Sequence, residues 1–348
     1  MRPSGIFNTD YGKDQAAVWS RLQWVILLGS LTLLFIFPLF ASFWALGVLN
    51  FIGIIVIVVL GLQIVSGYCG QISLGHGGIM AVGAFVSAIL TFRAGLSFWW
   101  ALPISGISAG LIGIIVGAPS LRIKGFYLAL ATLAAHYIIF WLSYHLPLTG
   151  GTAGTPAPAP TIGNFAFDTD FRMFYIIMPT MVLMTFFAKN LMRTQMGRAF
   201  VAIRDNDIAA EAMGINVWRY KILAFFIACF YAGIGGCLWA HWMTIVQYEQ
   251  FLIWNSLWYV AMIIIGGMGS ISGVFIGVAL LKMLDELVMW AGPILAGALP
   301  FLGTMPAAAL GYSAFGLILV LFLLFEPKGL AHRWELFKHS YRLYPFPY

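Results

Sequence analysis

Charge is scarce in this 348-residue sequence. Asp, Glu, Lys and Arg make up only 9% of it, against about a quarter in an average soluble domain. So few charges cannot cover the surface of a soluble protein of this size, which excludes a soluble enzyme, a soluble nucleic-acid binder and a disordered chain. Cysteine is scarce too. Cys69, Cys229 and Cys237 show no C-x-x-C or metal spacing and read as small buried apolar residues. None of the six histidines (His76, His136, His145, His241, His332, His339) sits in an H-E-x-x-H pattern. No G-x-S-x-G and no G-x-x-x-x-G-K-[ST] appears. The expectation is therefore no catalytic centre, no metal, no cofactor, and no ATP bound through a P-loop. The first 20 residues are polar, with Asp10, Lys13 and Asp14, so no cleavable signal peptide is expected.

What is abundant is apolar sequence. Hydrophobic residues make up 61% and the mean hydropathy is +0.93. The runs are too long for the roughly ten-residue alternating strands of an outer-membrane barrel. The fold class is all-α: a polytopic helical membrane protein. Crossings of about 20 residues are expected at 22–43, 46–66, 73–92, 99–120, 126–146, 172–189, 221–242, 252–268, 271–290 and 305–325, ten in all. The domain reading is a tail at 1–21, a transmembrane unit at 22–325 and a second tail at 326–348. In this scheme fifteen Lys and Arg residues fall on one side and only Arg93 and Arg172 on the other; Lys282 lies inside a crossing. Positively charged loops stay cytoplasmic, so both termini are expected in the cytoplasm. The net charge of +6 is then a topology signal and not a nucleic-acid footprint.

Two loops and two glycine-rich stretches stand out. The outer loop 147–171 is rich in Gly, Pro and Thr, so no regular helix is expected. It reads either as a solvated connector or as an outer cap. The stretch Gly67–Gly78, GYCGQISLGHGG, breaks a helix between apolar spans. Either its free N–H groups face a ligand carboxylate or its glycines permit close helix packing. The candidate path residues are Gly70, Gln71, Ser73, Gly75, His76, Gly77 and Gly78. Mid-crossing His136 joins them as either a pore ligand or a packing histidine. GGMGSISGVFIG (266–277) echoes the theme weakly. Lys282, Asp285 and Glu286 stand at i, i+3 and i+4, where they can neutralise one another on one helix face. So little charge inside the crossings argues against a proton- or sodium-coupled transporter.

The basic loop 190–220 contains GRAFVAIRDNDIAAEAMG (197–214). Asn206 can N-cap a short helix, Asp207 favours its first turn, and Gly214 can close it. A helix of two turns is unstable alone in water, so something must hold it, either the underside of the bundle or a cytoplasmic partner.

At this loop the sequence resembles the permease family of ABC importers for branched-chain amino acids. The matching stretches are GYCGQISLGHGGIMAVGAF (67–85), LRIKGFYLALATLA (121–134), MGRAFVAIRDNDIAAEAMGINVWRYKILAF (196–225), GGMGSISGVFIGVALL (266–281) and FEPKGL (325–330). They occur in the family's order, and the chain looks like the larger of its two paired permease types. The resemblance implies a bacterial inner-membrane importer of two permeases, two ATP-binding subunits and a periplasmic substrate-binding protein. It implies that helix 206–213 is the ATPase-coupling helix, with Asp207, Ala210, Glu211 and Gly214 on it, and that loop 147–171 docks the binding protein. Leucine, isoleucine and valine are the family's default cargo; urea, short amides and other small amino or organic acids are carried by similar permeases. The rival of another class is a stand-alone channel or secondary transporter, which needs a filter or ion relay that the crossings do not display.

Overall fold

The computed structural model describes residues 21–121, 123, 125–298, 313, 316–317, 320–322, 324–326 and 329–343. Helices occupy the first nine expected crossings; the tenth, 305–325, falls largely outside the described residues. In chain order they are α1 (Arg21–Ile36), α2 (Phe43–Leu62), α3 (His76–Phe92), α4 (Phe98–Gly117), α5 (Phe126–His145), α6 (Asp170–Arg193), α7 (Gln195–Asp205), α8 (Asp207–Ala212), α9 (Val217–Met243), α10 (Ile253–Gly266), α11 (Ile271–Ala298) and α12 (Leu330–Leu343). Two short antiparallel pairings lie outside the helices: β1 (Thr155–Pro156) with β4 (Ile245–Val246), and β2 (Thr161–Ile162) with β3 (Phe165–Ala166). This is an all-α membrane fold.

Local chemistry sets the boundaries. Pro38 tightens the end of α1 into a short 3₁₀ turn, and Ser42 caps α2 by accepting from the Ala45 N–H. The split between the first two crossings therefore falls at 37–42. α2 continues through a π-helical turn, Gln63–Tyr68, before the chain breaks. Among the described residues, α4, α5, α6 and α9, and α2 extended through Tyr68, are each long and apolar enough to span a membrane. α1 and α3 are shorter apolar helices.

The last pair departs from expectation. α10 has 14 residues, about 21 Å at 1.5 Å per residue, which is less than the roughly 30 Å hydrocarbon core. The chain turns by 120° between α10 and α11. Gly267 and Gly269 hold φ of 114° and 82° in that turn, values that L side chains rarely adopt.

α9 is the centre of the bundle, packed against α2, α3 and α4. Its approach to α3 leaves no room for side chains. A Cβ on Gly83 would stand 2.4 Å from the Gly233 carbonyl oxygen, and one on Gly236 would stand 2.1 Å from that of Met80. Without a hydrophobic drive between helices in lipid, this close backbone contact is what holds them.

Candidate functional site

The glycine break between α2 and α3 is a packed junction. The N–H of Leu74 donates to Thr132 Oγ1 at 3.0 Å, that of Gly77 to Ser256 Oγ at 2.9 Å and that of Gly78 to His136 Nδ1 at 2.9 Å. These three donors at the start of α3 are thus taken by side chains of α5 and α10. The glycines are what lets those side chains in. A Cβ on Gly75 would lie 2.4 Å from the Thr132 carbonyl oxygen, and one on Gly77 would lie 2.8 Å from Ser256 Oγ. The glycines thus permit close packing of α3 against α5 and α10. His136 is a partner of α3, and its Nδ1, as an acceptor, fixes the tautomer with the proton on Nε2. His136 Nε2, His76 Nε2 and both amide atoms of Gln71 are buried without a partner. Ser73 is buried beside them.

The two glycine-rich stretches, far apart in sequence, meet. Gln63 Nε2 donates to the carbonyls of Gly267 and Ser270, both at 3.0 Å. Arg204, on α7, reaches into the same place: its Nη1 donates to the Gly67 carbonyl at 3.2 Å, and its stem lies over Gly70, whose φ is +71°. Neither Gln63 nor Arg204 stood out in the sequence. A basic residue in a basic loop carries no sign that it turns inward.

Beyond Arg204 the chain forms α8, six residues long. Asn206 Oδ1 accepts from the N–H groups of Ile208 and Ala209, each at 3.1 Å. At the other end Gly214 takes φ +85°. Its N–H donates to the Glu211 carbonyl, and the Ile215 N–H donates to that of Ala210. This is a Schellman ending. Ala210 faces the bundle and is buried. The Asp207 carboxylate sits 3.5 Å from the buried Lys221 Nζ, so it turns toward α9 while Glu211 stays exposed. The outward residues are Ile208, 73% exposed, Glu211 and Met213, 84% exposed.

The opposite end carries a fixed cap. In loop 147–171, Thr155 and Pro156 pair with Val246 and Ile245, and the Ala157 N–H donates to the Thr244 carbonyl at 2.7 Å. His241 lies beneath. Its Nδ1 donates to the Pro158 carbonyl at 2.7 Å, and its Nε2 accepts from Ser87 Oγ at 2.7 Å. Residues 155–158 of the loop are thus tied to the end of α9 and to β4. Nearby on α11, Lys282 Nζ stands 2.9 Å from Asp285 and 2.8 Å from Glu286, the pairing that the spacing suggested.

Residues 44–324 match the family model described as the permease component of the branched-chain amino acid transport system. The chain belongs to that permease family. Among its relatives, the permease is 33% identical over 291 residues to the high-affinity branched-chain amino acid transport system permease protein LivM of Escherichia coli (strain K12), covering 76% of this chain and 68% of that protein. It is 25% identical to the probable LivM of Methanocaldococcus jannaschii, and 24% identical to the LivH permease of Escherichia coli (strain K12), each time over 81% of this chain and 92% of the relative. No solved structure matches the permease. It is a multi-pass membrane transport component.

Proposed function

We propose that this permease is a membrane-spanning subunit of an ATP-driven importer for branched-chain amino acids. It pairs with a second permease, takes its energy from two ATP-binding subunits, and receives its cargo from a periplasmic substrate-binding protein. The observation that carries this reading is α8. A six-residue helix capped at both ends, held to the bundle by Ala210 and Asp207, presents Ile208, Glu211 and Met213 outward. An apolar pair beside an acid on a rigid two-turn stub suits a groove on another protein, with aliphatic walls and a basic rim. Ala210 and Asp207 serve as its anchors, Glu211 as its contact and Gly214 as its closing turn.

The charge asymmetry supports a bacterial inner-membrane orientation with the 190–220 loop and both termini in the cytoplasm. The domain reading follows: tails at 1–21 and 326–348 around one transmembrane unit, with loop 147–171 as the docking lid. The glycine junction at Gly70–Gly78 acts as the hinge of the path. The test is co-purification with the ATP-binding subunits after Ile208→Asp, combined with a reporter in the exposed turn at Gly163. Lost association and a periplasmic reporter are expected. Wild-type association of the variant, or a cytoplasmic reporter, contradicts the reading.

A further inference from the structure

Between α2, α3, α10 and α11 lies a cavity of about 190 Å³. That is several times the ~30 Å³ share of one water molecule and smaller than the roughly 300 Å³ of a drug-sized site. Phe51, Met80, Trp258 and Met262 form apolar walls, and Lys282 and Asp285 are the charged residues that line it. The apolar part is deformable. The Met262 and Met80 thioethers adapt to branched shapes, and Tyr259 fixes Met80 by donating to its sulfur at 3.3 Å.

The charges do not balance. Lys282 holds both Asp285 and Glu286, so one cation faces two carboxylates. Glu286 gains only the neutral Trp44 indole N–H, at 3.2 Å, and among the described residues no second cation joins them. The surplus carboxylate is accessible, because 42% of the Asp285 side chain is exposed. Lys282 has three N–H donors. Two point at carboxylates, and its ammonium also lies 4.6 Å from the Phe51 ring centre. The site therefore offers a carboxylate in excess, a cation with one donor to give, and an apolar wall.

We propose that this cavity holds the zwitterion of an apolar α-amino acid in transit, its ammonium on Asp285, its carboxylate on Lys282 and its side chain against Phe51, Trp258 and the methionines. This deepens the importer reading and rests on it. Asp285 and Lys282 are binding residues in this account, and the ion triad is the polar end of the station.

The experiment uses the assembled importer with Met262→Cys. Labelling of the introduced thiol by methyl methanethiosulfonate is followed by peptide mass spectrometry, so the native cysteines do not interfere. Leucine is compared with 4-methylpentanoate, which lacks the ammonium, and with 3-methylbutylamine, which lacks the carboxylate. Leucine is expected to slow labelling about threefold or more once it exceeds its dissociation constant by a few times. Neither fragment should match it, and Asp285→Asn should remove the protection while leaving the ATP-binding subunits attached. Absent protection by leucine, equal protection by either fragment, or full protection in Asp285→Asn overturns the assignment. If Met262→Cys does not assemble, Met80→Cys reports on the same cavity. ATP-driven leucine uptake is measured on the same preparation. Uptake without protection overturns the cavity alone, whereas no uptake of any branched-chain amino acid overturns the importer reading.

Discussion

Arg204 donates a hydrogen bond to the carbonyl of Gly67, 137 residues earlier in the chain. Arg204 is the second-last residue of α7, two positions before the Asn206 cap of α8. Gly67 lies in the π-helical turn where α2 gives way to the glycine junction. One side chain therefore ties the proposed ATPase contact to the break in the membrane core. A displacement of α8 has a short, direct route to the junction.

Arg204→Ala should keep the importer assembled with unchanged basal ATP hydrolysis. Stimulation by loaded binding protein should fall about fivefold or more, the lower end of ordinary coupling energies. Hydrolysis by reconstituted vesicles measures it. Wild-type stimulation would mean that the contact is structural only.

Gly214 and Glu211 test α8 separately. Gly214 sits at φ +85° with open space around its Cβ position, so Gly214→Val strains the backbone alone, by about 1–2 kcal/mol. Glu211→Arg leaves the fold untouched and reverses the charge at the rim. Both variants should insert normally and lose ATP-binding subunits on purification. Retention of wild-type stoichiometry in both would show that the partner binds elsewhere.

His136 accepts the Gly78 N–H through Nδ1. His136→Leu strands that buried donor, at a cost of about 1–3 kcal/mol. His136→Asn offers a carbonyl oxygen in a similar place and should recover much of it. Thermal unfolding of the purified chain in detergent ranks the three, with wild type highest and Leu lowest. Equal stability of the Leu and Asn variants would deny His136 its packing role.

Near the C-terminus, the Arg333 guanidinium beside Glu326 holds its carboxyl below the usual carboxylate range. A depressed carboxylate pKa stabilises the folded form above the ordinary value near 4.5, and the effect is lost as pH falls through the lowered one. The attachment of α12 should be constant from neutral pH down to about pH 5 and weaken only in stronger acid. Glu326→Gln should give the acid behaviour at pH 7, with a modest effect because the Arg333 partner is 66% exposed. Limited proteolysis of α12 in membranes reads both.

Much of this was legible in the sequence. Apolar run lengths gave the helices, and Asn206 and Gly214 gave both ends of α8 because caps are local chemistry. The glycines of 67–78 marked a break, but not what filled it. Thr132, His136 and Ser256 arrive from two distant helices, and nothing near Gly77 announces them. Helical spacing puts Asp207 and Glu211, four residues apart, on one side of α8, but the buried Lys221, on the next helix, draws the Asp207 carboxylate inward. α10 ends slightly before its expected 252–268 bound, because the glycines were visible in the sequence but the positive φ that stops the helix at Gly266 was not.

The most direct measurement is leucine uptake into sealed vesicles holding this permease with its partner permease and ATP-binding subunits. With loaded binding protein outside and ATP inside, labelled leucine should accumulate against its gradient. Accumulation should stop when a non-hydrolysable nucleotide replaces ATP or when the ATP-binding subunits are omitted. Leucine movement through the permease alone, at the same rate without nucleotide, would contradict ATP-driven import and mark the protein as a channel or secondary transporter.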